Sequence, residues 1–273
     1  PKCLIKKSRI ESVRLAKNYI TALSPDIGLL TNLVHLNLYD NELVTLPPEI
    51  GQLTRLEHLC LDQNKLNMLP DEMANLQALQ CLDLSSNAFD VFPAVVCQLR
   101  GLLRLRMSIN DFSSLPPEIG RLSQLTELDV SMNENFIKIP PEIGNLHNLT
   151  KLYIGDTEVS SLPKEISQLF ELVVLIASFT KIINVPPELS QLANLRKLWI
   201  SSYDERIRDI HPSIARLRNI KRAYILGIRH SAFSVFRLRA RPTLEPNIPN
   251  GQRQRRRKIT VLDLEASMLF KTP

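Results

Sequence analysis

The chain has 273 residues, of which 44% are hydrophobic and 23% charged, the composition of an ordinary folded protein. With 8 glycines, 18 prolines and 5% aromatic residues, it is neither collagen-like nor of low complexity, and a glycine-rich nucleotide-binding fold is not indicated. No apolar run approaches the roughly 18 residues of a membrane-spanning helix. The formal net charge of +6 is uneven, because residues 227–273 hold ten Lys or Arg against three Asp or Glu. The basic character therefore belongs to the C-terminal segment.

A 23-residue template repeats along most of the chain. Residues 33–55 follow the pattern LxxLxLxxNxLxxLPxxIxxLxx, and residues 56–78 repeat it with Met73 at the Ile position. The repeat that begins at Leu125 has 24 residues and the one that begins at Leu195 has 25. The repeats begin at Ile10, Leu33, Leu56, Leu79, Leu102, Leu125, Leu149, Leu172, Leu195 and Ile220. Stacked copies of such a unit bury an apolar face that one copy cannot bury alone.

Each part of the template predicts one structural element. The alternating leucines predict a short strand with leucines on one face. The Asn that follows, such as Asn41 or Asn64, can satisfy backbone groups where the chain turns. Proline then fits the first turn of a short helix, and glutamate suits the positive end of that helix. We therefore predict an α/β solenoid of about ten repeats, a horseshoe with a parallel concave sheet and short convex helices.

The residues 46–66, LPPEIGQLTRLEHLCLDQNKL, resemble the leucine-rich repeat in its 23-residue intracellular form, that of the Ras-group proteins such as Scribble and Erbin. The resemblance implies a curved solenoid that binds another protein on its concave sheet, as an intracellular scaffold in signalling. Thr157 and Thr180 stand where the template has Asn. Residues 155–169, GDTEVSSLPKEISQL, resemble the leucine-rich half of plant nucleotide-binding immune receptors. The alternative that this implies is the ligand-sensing segment of such a receptor.

The two ends of the chain fall inside repeats. Pro1 precedes Ile10 by nine residues, the spacing between the template proline and the next strand leucine elsewhere. Residues 259–273, ITVLDLEASMLFKTP, fit the template again. The chain is interpreted as a fragment of a longer protein, and incomplete end repeats are the alternative. We predict a solenoid over 1–227, a basic insertion loop over 228–258 and a partial further repeat over 259–273.

The insertion loop carries a basic run. A solvated loop is the plainer interpretation of such a run. The functional alternatives are a nuclear-import signal or an arm that binds an anionic partner through phosphate. Stacking aromatic residues do not interleave with these arginines, so no specific nucleic acid is predicted. The residues concerned are Arg253, Arg255, Arg256, Arg257 and Lys258.

The residues between the strand leucines face out of the concave sheet, where neighbours on adjacent strands lie within reach. In the N-terminal half they include His35, His58, Cys60 and Cys81, the residue types of a zinc site or a Cys/His catalytic pair. No rigid ligand spacing supports either, and we prefer a polar binding face with two free thiols. On the middle strands we predict a ladder of charged side chains in which each charge has an oppositely charged neighbour. The alternative is that these charges bind a charged partner. The ladder residues are Asp83, Arg104, Arg106, Glu127, Asp129 and Lys151.

In the C-terminal half of the concave face, apolar and aromatic residues occupy outward positions where polar residues are expected. Large exposed apolar patches mark binding sites, and Trp and Tyr dominate hot spots. We expect a protein partner with acidic residues around an apolar anchor; the alternative is that the insertion loop covers this surface. The predicted partner-binding residues are Tyr153, Val174, Ile176, Phe179, Lys197, Trp199, Arg222 and Tyr224.

Motifs for catalysis are missing from the sequence. It has no P-loop, dinucleotide-binding, zinc-protease or nucleophile-elbow motif, so we predict neither an enzyme nor a cofactor or metal site. The four cysteines form no CxxC pair, which favours a reducing compartment. We expect a cytoplasmic protein, with the nucleus as an alternative through the basic run.

Overall fold

The alternating leucines of the template form short strands that recur once in every repeat. The structure is a computed structural model, and it describes residues 9–203, 207, 209–226 and 262–263. Its strands are β1 (Ser12–Arg14), β2 (His35–Asn37), β3 (His58–Cys60), β4 (Cys81–Asp83), β5 (Arg104–Arg106), β6 (Glu127–Asp129), β7 (Lys151–Tyr153), β8 (Val174–Thr180), β9 (Asn184–Val185), β10 (Lys197–Ser202), β11 (Asp209–Ile210), β12 (Arg222–Leu226) and β13 (Leu262–Asp263).

Ten of these strands pair in parallel, in the order β1 to β8, then β10, then β12. The register places equal template positions opposite each other, so that Leu59 lies between Leu36 and Leu82. This arrangement confirms the predicted solenoid with a parallel concave sheet. Strands β9 and β11 form a separate parallel pair.

The predicted division of the chain depends on segments that the structure describes only in part. β13 pairs antiparallel with β12, with Asp263 opposite Tyr224, whereas a further repeat would add a parallel strand. The other residues of 259–273, and the whole of 228–258, lie outside the described part of the chain. Residues 1–8 do so as well. The boundaries of the three predicted segments therefore stay a prediction.

The return segments on the convex side form 3₁₀ helices of five residues each. A proline such as Pro47 (φ −72°, ψ 146°) ends the preceding extended segment, and its missing N–H costs nothing at the start of the helix. A Cβ added at Gly51 would collide with the backbone carbonyl of Glu72 in the next repeat, so the close stacking of these helices requires glycine there. The helices span Pro25–Leu29, Pro48–Gln52, Asp71–Asn75, Ala94–Gln98, Pro117–Arg121, Pro141–Asn145, Lys164–Gln168, Pro187–Gln191 and Pro212–Arg216.

The core lies between the sheet and the 3₁₀ helices. The strand leucines Leu36, Leu59 and Leu82 are only 1–2% exposed. Phe112 and Phe136 replace the leucine after the Asn in their repeats, and their rings meet edge to face with centroids 5.7 Å apart. One apolar cluster thus continues through all the described repeats.

The template asparagines join consecutive repeats. The Asn64 amide nitrogen donates to the carbonyl of Leu61 in its own repeat and to that of Leu38 in the preceding one, each at 3.0 Å. The Asn64 side-chain oxygen accepts the backbone N–H of Leu43 at 3.0 Å. Asn41, Asn87 and Asn110 repeat this pattern. The buried turn is therefore satisfied by an amide that both donates and accepts.

The asparagine ladder ends where threonine replaces Asn. The Thr157 hydroxyl donates to the Ile154 carbonyl of its own repeat at 2.8 Å. Thr180 likewise reaches the Ala177 carbonyl at 3.3 Å. A hydroxyl has one donor and a shorter reach than an amide, so neither side chain ties its repeat to the one before it.

Candidate binding surfaces of the concave sheet

A concave pocket of about 500 Å³ lies over the N-terminal strands. The rings of His35 and His58 stack there with centroids 4.6 Å apart and planes 6° apart. Burial, followed by the charges of His35 and Arg104, lowers the pKa of His58. The pocket is lined on β1 to β5 by Ser12, Val13, Arg14, His35, Leu36, Asn37, His58, Leu59, Cys60, Cys81, Leu82, Asp83, Arg104 and Arg106.

The two pocket thiols have partners other than the histidines. The Cys60 thiol donates to Asp62 Oδ1 at 2.8 Å, and burial together with that carboxylate raises the pKa of Cys60 to about 12. Arg104 Nε donates to Cys81 Sγ at 3.2 Å. A thiol with a raised pKa is a poor nucleophile and metal ligand. In the part of the chain that the structure describes, no three His, Cys, Asp or Glu side chains come together in a way that could hold a metal ion.

The charge ladder of the middle strands forms, and only some of its contacts follow the strand register. Glu127, only 6% exposed, accepts hydrogen bonds from Arg106 Nη2 at 2.8 Å and from Lys151 Nζ at 3.1 Å. Arg106 lies 3.8 Å from Asp83 but pairs diagonally with Glu127. Arg104 lies opposite Glu127 in the strand register, but its side chain bonds to Cys81 instead. Most of the charges in this zone are therefore neutralised within the sheet.

The C-terminal strands carry the predicted apolar column. Tyr153, Ile176, Trp199 and Tyr224 lie in register on β7, β8, β10 and β12. All four are half-buried, which corrects the expectation of open exposure. The rings of Trp199 and Tyr224 meet edge to face at 5.1 Å. We call this column, with its neighbours Val174, Lys197 and Arg222, the aromatic patch.

The aromatic patch includes two cations. Lys197 Nζ is 4.1 Å from the centroid of the Trp199 ring, a cation–π contact, and Arg222 is exposed on the next strand. The Trp199 indole N–H is shielded from solvent and has no acceptor among the residues that the structure describes. The patch thus combines an apolar floor, a buried indole N–H and two positive charges.

Phe179 was predicted in the same surface, but the structure places it elsewhere. It has a left-handed backbone (φ 54°), at the end of β8. Its ring, 50% exposed, packs against Tyr203 with centroids 5.9 Å apart. Phe179 therefore belongs to the carboxyl edge of the sheet and not to the column of Trp199.

Sequence reasoning missed the other exposed apolar residues of this edge, Ile109, Met132 and Tyr203. The sequence did hold a signal for two of them: the template position directly before the Asn is polar in the first four repeats and apolar at Ile109 and Met132.

The structure does not test the predicted anion-binding residues. Arg253, Arg255, Arg256, Arg257 and Lys258 lie outside the described part of the chain.

Comparisons with known families identify the repeats. The family model described as leucine-rich repeat region matches residues 58–138 and 131–231, and a second, described as leucine rich repeat, matches residues 8–66. No curated protein sequence matches the chain. Among the described residues, no helix is long and apolar enough to cross a membrane.

Solved structures with the same fold come from bacteria and plants. A leucine-rich repeat protein of Leptospira interrogans is 30% identical, with a TM-score of 0.78; the match covers 86% of this chain and 59% of that protein. The TDR receptor is 26% identical, with a TM-score of 0.70, and the match covers 78% of this chain and 38% of the receptor. The ectodomain of the Arabidopsis receptor kinase HAESA, in complex with an N-terminally extended IDA peptide hormone ligand, is 25% identical, with a TM-score of 0.65; the match covers 77% of this chain and 37% of that one. The chain thus spans less than two thirds of each of these structures.

Proposed function

Because the chain belongs to the leucine-rich repeat family, a fold that commonly mediates protein–protein interaction, we propose that it is an intracellular scaffold that binds a partner protein through the aromatic patch. One observation carries the proposal. Lys197, Trp199 and Tyr224 form a half-buried apolar and cationic cluster on a sheet face whose other half is polar. Such a cluster fits a partner segment with an apolar anchor and acidic neighbours.

The cellular setting is part of the proposal. The template favours the Ras-group type of intracellular repeat, with a role in signalling and no catalytic activity. The described cysteines Cys60, Cys81 and Cys97 are free thiols, which supports a reducing compartment and hence the cytoplasm. Because of the basic run in residues 253–258, we also expect either nuclear import or binding of an anionic partner.

A ligand-sensing role in a plant nucleotide-binding immune receptor is the second candidate. The observation that favours it is the loss of the asparagine ladder at Thr157 and Thr180, since these threonines carried the resemblance to those receptors. The two candidates predict different coding sequence upstream of Pro1. A P-loop encoded there favours the receptor, and its absence from a complete transcript favours the scaffold.

The binding test uses the single tryptophan of the chain, Trp199, as its own reporter. Peptides of twelve residues are selected from a displayed library on the wild-type chain, and binding is followed by tryptophan emission. We expect Asp or Glu next to Leu or Phe in the selected peptides, which are drawn from a library without Trp. Trp199→Ala should weaken their binding by at least about 2 kcal/mol, roughly 30-fold in Kd when measured with labelled peptide.

The matched control is His58→Ala in the polar half of the same face. It should change the Kd of the acidic peptides less than about twofold. Because Trp199 is half-buried, its removal should cost no more than about 1–2 kcal/mol of unfolding free energy. If Trp199→Ala unfolds the chain, or if His58→Ala weakens binding more than Trp199→Ala does, the aromatic patch is structural and the proposal fails.

A further inference from the structure

A row of exposed side chains follows the carboxyl edge of the concave sheet, beside the face that holds the aromatic patch. The members of this edge row stand one to each successive repeat, mostly at the template position before the Asn or Thr. The four apolar members are 45–52% exposed. The edge row consists of Ile109, Met132, Asp156, Phe179 and Tyr203.

The backbone makes apolar residues unexpected at this position. It is left-handed at Ile109 (φ 55°), Met132 (φ 56°) and Phe179 (φ 54°). That conformation is unfavourable for residues with a Cβ, most of all for one branched there such as Ile109, and Asn or Asp tolerate it best. The first four repeats have Lys17, Asp40, Gln63 and Ser86 at the equivalent position. Neither the backbone nor solvation therefore accounts for the apolar residues of the edge row.

The edge row is held rigidly. The backbone N–H of Ile109 donates to the Ser131 carbonyl at 3.1 Å, and that of Met132 donates to the Gly155 carbonyl at 2.8 Å. The next repeat continues this ladder, where the N–H of Asp156 meets the Ser178 carbonyl at 2.8 Å. Adjacent repeats are about 4.8 Å apart, so the five members span about 19 Å, the length of roughly six extended residues. A partner segment would find these side chains already in place.

The charge of the edge row is negative. Asp156 accepts a hydrogen bond from the Tyr203 hydroxyl at 3.3 Å. Burial, followed by the charge of Asp156 and then those of Glu134 and Glu158, raises the pKa of Tyr203. Glu158 pairs with Lys181. Asp156 and Glu134 form no ion pair within the described residues, so their charges are open to a partner.

We propose that the edge row binds an extended segment of a partner protein in which apolar side chains flank Lys or Arg. The apolar side chains cover Ile109 and Met132, and the cation lies against Asp156, within reach of the Phe179 and Tyr203 rings. The negative charge disfavours an anionic lipid surface as the occupant. This site goes beyond the proposed function, since the aromatic patch favours an acidic segment and the edge row a basic one.

Stability gives the first test, which needs no partner. Ile109→Asn places a residue that tolerates the left-handed backbone at an exposed position. Its melting temperature should equal that of the wild type or exceed it by about 1–4 °C. The matched control is Ser86→Ile at the same position of an earlier repeat, which should lower the melting temperature. If Ile109→Asn lowers it by more than about 4 °C, Ile109 supports the fold and the proposal is overturned.

Binding gives the second test. Twelve-residue peptides are selected from a displayed library on the Trp199→Ala chain, so that the result does not depend on the aromatic patch; the wild type serves if that variant does not fold. The selected peptides should contain Lys or Arg between apolar residues. Asp156→Lys and Phe179→Ser should each weaken their binding at least about tenfold. Asp40→Lys, at the equivalent position of the second repeat, should change it less than about twofold.

Three results would overturn the proposal. Selected peptides without a preference for Lys or Arg would show that the negative charge of the edge row does not determine which segment binds. Equal effects of Asp156→Lys and Asp40→Lys would show that the site lies elsewhere. Vesicles that contain phosphatidylserine, if they bind the wild type and not Ile109→Asn, would identify a lipid surface as the occupant. The aromatic patch fails separately, when Trp199→Ala leaves the affinity for acidic peptides unchanged.

Discussion

The N-terminal and C-terminal halves of the solenoid share one leucine core and differ in how their repeats are joined. In the N-terminal half, amides such as Asn64 bond to the repeat before them. In the C-terminal half, Thr157 and Thr180 bond within or beyond their own repeat, and two of the strands, β8 and β10, are longer. β3 has three residues, whereas β8 has seven and β10 has six. The backbone pairing between repeats, by contrast, continues through both halves, as the bonds from Gln63 to Ser85 and from Asp156 to Ser178 show.

The two halves of the concave face differ as well. The first half presents the stacked pair His35 and His58 with two thiols, and the second presents Trp199 and Tyr224 under Lys197. The leucines of the template point inward, and the side chains between them point to the other face of the sheet, so the core does not constrain their identity. Core and surface therefore vary independently, and one scaffold can carry a polar pocket and an aromatic patch.

Removing a ladder amide should have the largest effect. Asn64→Ala deletes bonds to Leu38, Leu43 and Leu61 and leaves buried backbone groups without partners, so we expect a loss of about 3–4 kcal/mol in unfolding free energy. Thr157→Ala deletes one bond and should cost about 1 kcal/mol. Urea unfolding measures both. Equal losses would contradict the view that the ladder joins repeats only in the N-terminal half.

The charges between the two halves should have a smaller effect. Glu127→Gln removes the buried charge and one of the two oxygens that accept from Arg106 and Lys151, and because both partners can hydrate, we expect a loss of about 1–2 kcal/mol in unfolding free energy. Asp129→Asn is the control, and we expect a change within about 0.5 kcal/mol. The reason is that burial raises the pKa of Asp129 despite its bonds from Ser131, so its charge adds little stability.

The pH dependence should distinguish these carboxyl groups. Burial alone would raise the pKa of Glu127, but the bonds from Arg106 and Lys151 outweigh it, and the pKa is lowered. Its contribution is therefore complete above the unfolded pKa of about 4.3 and is lost as the pH falls through the lower folded value. Asp129 has the opposite sign, since its raised pKa favours folding as the pH falls toward about 3.9. Urea titrations of the wild type and Glu127→Gln should converge at low pH; a constant difference would argue against this ion pair.

The smallest effect concerns the thiols of the N-terminal half. With a pKa of about 12, Cys60 should react with iodoacetamide at pH 8 far more slowly than a free thiol. Asp62→Ala removes the carboxylate that holds the proton and should speed the reaction, with little change in stability. Mass spectrometry of the alkylated peptide follows the rate. A fast reaction of Cys60 in the wild type would revive the interpretation as a Cys/His nucleophile.

Much of the fold followed from the period alone. A template of 23 residues determines which side chains face inward, and parallel stacking then places equal positions side by side, as Tyr153, Ile176, Trp199 and Tyr224 show. The column could be predicted from the sequence because the strand register follows the template at these four positions. The partner-binding role of these residues stays a prediction.

The contacts that the side chains of the concave face make with their neighbours were visible only in the tertiary structure. Arg106 has Asp83 and Asp129 opposite it in register, yet it bonds to Glu127 on the diagonal, because a long guanidinium can reach several carboxylates at similar distance. Phe179 reads as one more member of the aromatic column, but its left-handed backbone turns it to the edge of the sheet beside Tyr203. Periodicity determines the position of a residue in the repeat, whereas the rotamer, the turn geometry and the reach of each side chain determine its contacts, and these depend on the assembled neighbours.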